Sequence, residues 1–316
     1  MNSLPVEIVE GGAEPLEPPD AIEGRSPWQL AWARLRRDRL ALACLIVIAL
    51  IVIVALAAPL VAWLTGHGPN EEFQTTGLTP DGLPRPPSRA FLFGTDDLGR
   101  DVLVRVVYGA RISLLSGVLA SSVAVALGVV VGLVGGYFGG LVDTLLARLM
   151  DVVLSFPFLL FAIALVSITG PGLWVSIFVI AFFSWASVGR VVRGQTLSLR
   201  EREYVEAARS LGAGDLRIMF VDILPNLVAQ VIVYLTLLIP SAVVFEATLS
   251  FLGLGVVPPA ATWGNMLSES LGYYRVAWWF VLFPGAALLI TTLAFNLLGD
   301  SVRDAFDPRG DRLFRR

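Results

Sequence analysis

Six long apolar stretches dominate this chain, at 40–64, 112–138, 152–169, 173–188, 227–252 and 276–298. Crossing the hydrocarbon core of a bilayer takes about 20 residues of helix, and in lipid every backbone N–H and C=O must bond within its own segment. The pattern therefore predicts an all-α membrane protein with six transmembrane helices. Composition agrees: 56% of the 316 residues are hydrophobic and only 16% are charged, against roughly 25% charged in an ordinary soluble domain. The mean hydropathy is +0.75. The third and fourth stretches are the shortest and meet at Thr169-Gly170-Pro171-Gly172. A single re-entrant hairpin is one reading of them; charges on both flanks, which must stay in water, favour two spans.

Arginine sets the orientation. All 23 basic residues are Arg. With six spans the termini share a side, and that side carries 17 of the arginines while the opposite side keeps six. Cytoplasmic loops hold the excess of positive charge, so both termini are expected in the cytoplasm. Residues 1–25 carry Glu7, Glu10, Glu14, Glu17, Asp20 and Glu23 and read as a disordered acidic tail, not a secretory signal. Ser26-Pro27 reads as a helix cap, and Trp28, Ala31, Trp32 and Leu35 at helical spacing predict an interfacial amphipathic helix over 26–39, aromatic side against membrane lipid. The first transmembrane helix then covers 40–64 and an extracytoplasmic loop 65–106. A five-helix core follows over 107–300, with a charged loop at 190–226, and 301–316 is a cytoplasmic tail.

What the chain lacks excludes whole chemistries. Without Lys there is no GxxxxGK[ST] phosphate loop, so ATP is not hydrolysed here by that route, and Schiff-base chemistry is excluded. One His (His67) and one Cys (Cys44) build neither a Cys/His zinc site nor an internal disulfide. A net charge of −3 and a pI near 5.3 leave no nucleic-acid footprint.

The most informative loop lies between spans four and five. Residues 200–211 are good helix formers, Gly212 suits the left-handed position that ends a helix, and Asp215 can cap a second helix running toward Pro225. The result is a helix–turn–helix elbow whose Ala207 and Ala208 form a close-approach surface flanked by Tyr204 and Leu211, shaped to dock in another protein's groove. In span two, Gly128, Gly132, Gly136 and Gly140 recur every four residues and place a small-residue face against a neighbouring helix or a partner chain, unless the helix frays from Gly136 onward. Glu246 lies about 28 Å along span five and reads as a solvated carboxylate at the outer interface or vestibule. Arg148 and Asp151 can pair across one turn. His67 reads as a surface residue, Cys44 as a packing residue, Pro240 and Pro284-Gly285 as helix breaks, and Trp278 and Trp279 as an interfacial belt.

Glu206-Ala207-Ala208, with Gly212 four residues on and then Ile223-Leu224-Pro225-Asn226, resembles the coupling loop of bacterial type I ABC importer permeases. Phe93-Gly94-Thr95-Asp96-Asp97-Leu98-Gly99-Arg100-Asp101 and Gly109-Ala110-Arg111-Ile112-Ser113-Leu114 resemble the signature of the dipeptide/oligopeptide subfamily. So do Leu249–Gly255, Trp263-Gly264, Pro284-Gly285, Asn296–Asp300, Arg303-Asp304 and Asp307-Pro308. The similarity runs from about Trp28 to Arg309 and is greatest to the subunit with one helix ahead of a five-helix core. Some family members place the Ile one position earlier; Asp222 before Ile223 here matches the peptide branch.

The resemblance implies the type I importer permease fold with a cytoplasmic coupling helix. It implies that Tyr204, Glu206, Ala207, Ala208, Leu211 and Gly212 engage a cleft on one of two separate cytoplasmic ABC ATPases, which bind the ATP and Mg; this chain holds no cofactor and is not an enzyme. A second homologous permease completes the path in the bacterial plasma membrane, and an extracytoplasmic solute-binding protein delivers the peptide. A gradient-driven secondary carrier is the alternative, although no midplane carboxylate pair is evident, as is a permease of the same family for nickel or glutathione.

Overall fold

The computed structural model describes residues 27–306, which are helical apart from loops and two isolated β-bridges. The predicted acidic tail, the Ser26 cap and residues 307–316 of the C-terminal tail lie outside the described residues.

Helix α1 (Pro27–Leu35) leaves Trp28 and Trp32 exposed. It docks on the end of the last helix, α12 (Trp278–Phe306): Trp28 meets Phe306 edge-on with ring centroids 5.2 Å apart, and Arg34 donates to the Ala305 carbonyl at 3.2 Å. The chain turns, and Asp38 caps α2 (Arg39–Leu56) by accepting from the Leu40 N–H at 2.9 Å. A hydrogen bond from Ser301 holds the Asp38 carboxyl below the usual carboxylate range. The stabilisation from its ionised form is therefore present above the ordinary aspartate value and is lost only as pH falls through the lowered one. The expected first transmembrane helix is interrupted at Ala57, and α3 (Ala58–Thr65) follows. Pro59 is the cause, because it has no N–H to bond the Ala55 carbonyl.

Helix α4 (Val102–Phe138) starts ten residues ahead of the apolar run, because Asp101 caps it by accepting from the Leu103 and Val104 N–H groups at 2.8 and 3.3 Å. The expected third span is instead a bent pair, α5 (Gly140–Ser155) and α6 (Phe158–Thr169), meeting at 83°. Pro157 forces Phe156 into extended backbone, which ends α5. The pair leaves the end of α4, and Pro171 just beyond it lines the same cleft as Ser250 and Glu269 at the other end of the molecule. It therefore traverses the molecule, and with five long apolar helices it makes up to six spans.

Helix α7 (Leu173–Leu199) returns along α4. Next come the short α8 (Glu203–Ser210) and a rod in which α9 (Asp215–Arg217), a π-helical stretch (Ile218–Ile223) and α10 (Leu224–Phe251) run on without interruption; α11 (Trp263–Ser270) precedes α12. Pro240 and Pro284 do not break their helices: α10 and α12 continue through both, and both prolines are buried against neighbouring elements, where packing holds the helix over the missing bond. Trp279 is no interfacial residue either. It is buried and donates through Nε1 to the Thr95 carbonyl at 3.1 Å, while Trp278 stays exposed.

The glycine ladder of α4 faces α7 of the same chain. A Cβ on Gly128 would sit 2.8 Å from the Trp185 carbonyl oxygen, one on Gly132 2.6 Å from that of Gly189, and one on Gly136 2.8 Å from that of Arg193. These are backbone atoms, which cannot step aside. The helix continues through Gly136 to Phe138, and Gly140, at φ +55° with open space beside it, lies off the seam. Gly132→Ala is expected to destabilise the protein by about 1–3 kcal/mol. Gly194→Ala, on α7 where a Cβ meets nothing within 4 Å, should be neutral or stabilising by up to about 1 kcal/mol. Thermal unfolding midpoints of the two detergent-purified variants check this; equal midpoints would refute the seam.

Candidate functional site

Two ends of the bundle carry the polar structure. At one end sit α1, the end of α12 and the elbow around α8. At the other sit the 66–101 segment and α11.

The elbow is built as a protruding knob on an apolar root. In α8, Val205 is fully buried and packs in a cluster with Tyr137, Val192, Ile218, Met219 and Ile223. Its neighbours point outward: Tyr204, Glu206 and Ala207 are exposed, Ala208 half-buried, and Leu211 is 88% exposed. The helix stops at Gly212, in the left-handed region at φ +81°. The Gly212 N–H donates to the Arg209 carbonyl and the Ala213 N–H to the Ala208 carbonyl, both at 3.0 Å, closing the free carbonyls at the helix end. Glu203 and Glu206 in the first turn and Arg209 in the last complement the helix dipole. The Tyr204 hydroxyl lies 3.4 Å from Asn226 Nδ2, and partial burial beside the rod pushes its phenol above its ordinary value, with Asp222 adding to this and Arg202 opposing it. Asp215 differs from expectation. Gly214 holds the cap position, and the Asp215 carboxylate instead accepts from the Tyr137 hydroxyl at 2.7 Å.

Ion pairs brace the same end. Arg193 pairs with Asp143, one of its two bonds measuring 2.7 Å, and Arg190 with Asp151 at 2.8 Å. Arg148 lies farther from Asp151, at 3.8 Å; Asp151 is tied mainly across to α7.

Glu246 is not the solvated carboxylate expected from its height in the span. It is fully buried, accepting from Ser113 at 2.8 Å and from Ser250 at 2.7 Å. The loop between α10 and α11 folds back over this point, and the Val256 N–H donates to Ser250 Oγ at 3.2 Å. Counting rise along one helix reveals nothing of a loop that covers its end.

At that end the sequence reading also missed a buried charge cluster. Arg105 is fully buried on α4, 3.2 Å from Asp96 and 3.1 Å from Glu269 of α11; Arg100 lies 2.6 Å from Asp96 and 3.1 Å from the same Glu269. Burial raises the Glu269 carboxyl above its ordinary range, with Arg105 and Arg100 drawing it back. Burial and the neighbouring Asp96 raise Asp97. The oxygens of Asp96, Asp97 and Glu269 come within 4.8 Å of one another, but two guanidinium groups already occupy the space and the charge a cation would need. His67 joins this end as well, bonded to Asp101 at 2.7 Å and stacked on Phe91, so it is a packed residue and not a surface one. The Gly94–Asp101 run was visible as a motif; its closure on Glu269, over 160 residues away, was not.

An open cavity of about 470 Å³ between α6, α7 and α10 is walled by Phe158, Phe183, Phe245 and Tyr234 and by the hydroxyls of Ser184, Ser187 and Ser241. It contains no ionisable side chain other than the tyrosine.

Residues 124–312 match the family described as the inner membrane component of binding-protein-dependent transport systems, and residues 26–80 match the N-terminal transmembrane domain of oligopeptide transport permease C. The chain belongs to this permease family. It is 43% identical to the oligopeptide transport system permease protein OppC of Escherichia coli K12, over 96% of this chain and 97% of that protein. It is 42% identical to the di/tripeptide permease DppC of Pseudomonas aeruginosa UCBPP-PA14, over 90% and 93%, and 43% identical to the glutathione permease GsiD of Shigella flexneri serotype 5b, over 94% and 95%. The fold matches a chain of the MetNI methionine ABC transporter in an inward-facing conformation, with TM-score 0.52 at 19% identity over 65% of this chain and 96% of that one. The permease is thus a multi-pass inner-membrane subunit of an ABC import system, with the type I importer fold. It carries its exposed α8 at the end shared by α1 and the end of α12.

Proposed function

We propose that this permease conducts peptides handed over by an extracytoplasmic binding protein, and that α8 is its coupling helix. The carrying observation is the elbow. A short helix exposes Tyr204, Glu206, Ala207 and Leu211, is stopped rigidly at Gly212 and is rooted through Val205 in the packed bundle. Such a knob transmits an external push into α7 and α10, which are joined to its two ends. In this reading Glu206 through Gly212 sit in a cleft on one of two cytoplasmic ATPases, which bind the ATP and Mg and perform the hydrolysis. The chain itself is neither an enzyme nor a cofactor carrier. Both termini face the cytoplasm, in keeping with the arginine bias, and a second homologous permease completes the path. The aromatic and hydroxyl-lined cavity supports a path wall suited to peptides of any side-chain charge. The glutathione permeases among the relatives favour one second reading, with that modified tripeptide as cargo; uptake of labelled dipeptide against labelled glutathione decides between them.

Ala207→Cys tests the elbow. Cys44, the chain's only other cysteine, is buried in α2, so background labelling is low. An impermeant maleimide is expected to label position 207 in inside-out vesicles and not in right-side-out ones, and a bifunctional reagent to join it to an ATP-hydrolysing partner. Labelling from the outside would overturn the reading.

A further inference from the structure

The elbow is covalently continuous with α7 on one side and with the α9–α10 rod on the other. Helix α4 is not, yet its last turn is fastened to the elbow by side-chain contacts. Tyr137, the penultimate residue of α4, is 6% exposed and fills the cluster in which Val205 of α8 is rooted. Its hydroxyl emerges from that cluster to donate to Asp215 at 2.7 Å, at the first residue of α9. Arg209 of α8 lies beside the same hydroxyl. One residue earlier, the Gly136 carbonyl accepts from Arg200, at the end of α7, at 3.1 Å. The glycine seam then runs from this point up α4 along α7.

We infer that Tyr137 is a positioning residue for energy coupling: through its hydroxyl bond to Asp215 it makes α4 move with the elbow, so that a push on α8 reaches three helices and not two. The inference rests on the proposed coupling role of α8. The apolar cluster around Val205 holds its side chains by fit alone, without direction. A directional hydrogen bond to a charged acceptor does set a register. Removing the hydroxyl leaves the ring in its cluster and takes away the bond to Asp215 together with the contact to Arg209. At the far end α4 holds Arg105, and Ser113 on the same helix bonds Glu246, so a helix locked to the elbow carries its displacement directly to the cleft around Glu269 and Ser250.

The test uses the whole transporter, purified with its partner permease and ATPases and reconstituted in liposomes with the binding protein inside an uptake assay. The measured quantity is peptide taken up per ATP hydrolysed. Tyr137→Phe is expected to co-purify with the ATPases at wild-type yield while this ratio falls by about tenfold, the size of effect that a residue on a coupling route can exert. Asp215→Ala should show the same fall, and the double variant no further one. Asp215→Asn, which keeps an acceptor oxygen, should restore most of the ratio. A merely structural role would lower yield or unfolding temperature and leave the ratio intact. An unchanged ratio in Tyr137→Phe overturns the inference, as does additive loss in the double variant. If the wild-type complex holds no ATPase against Ala207, it is the coupling role of α8 that has failed, which the cross-linking experiment reports separately.

Discussion

Glu206→Arg is expected to lower peptide uptake by about a hundredfold while the protein still inserts and folds. The two halves of this expectation have separate physical grounds. Glu206 is exposed, and its carboxylate has no hydrogen-bond or ion-pair partner among the described residues. Substitution therefore costs the chain little more than a first-turn dipole interaction, about 0.3–1 kcal/mol. A docked knob is different, because a charge reversed at the centre of a tight contact is desolvated without a partner. Losses of about 3 kcal/mol, or a factor of ~100, are ordinary at such positions. The measurement is ATP-dependent uptake in membranes alongside the amount and unfolding temperature of inserted protein. Uptake near the wild-type level would mean that α8 is not where energy enters. An unfolding temperature that fell with uptake would show that Glu206 serves the fold.

Arg105→Met should have the largest effect on stability, about 3–5 kcal/mol. Arg105 serves two carboxylates at once and also donates to the Pro69 and Pro259 carbonyls at 3.3 and 3.4 Å. Its removal leaves Asp96 and the partly buried Glu269 with Arg100 alone, and the cost lies in that under-compensated charge more than in the lost attraction. Arg105→Met combined with Glu269→Gln should therefore recover part of the loss. Lysine should not rescue, since a point charge cannot reproduce the planar fork that spans both carboxylates. Tryptophan emission is a suitable probe, because Trp263 and Trp279 donate to the Val106 and Thr95 carbonyls beside the cluster. A double variant as unstable as the single one would refute the account.

The elbow was legible because its information is local. Helix formers, a terminating glycine and a small-residue face all lie within 13 residues, and Gly212 takes the left-handed conformation that its position predicts. Asp215 was misplaced for the complementary reason: a capping role was inferred from neighbours in the chain, while Tyr137, 78 residues earlier, claims its carboxylate. Pro157 shows a local signal of known sign whose size was not legible. A proline after an apolar run forecasts a bend; the 83° angle depends on what α5 and α6 pack against.

Apolar length, the arginine bias, the absence of lysine and the order of short motifs follow from the chain alone. They specify a helical membrane permease with an exposed elbow, because hydrophobic transfer and local backbone preference act residue by residue. Which charges pair, where the glycine seam lies and whether Glu246 meets water were decided only by folding. Each depends on groups brought together from distant parts of the chain, and the free energy of a buried charge or a backbone contact is set by what surrounds it.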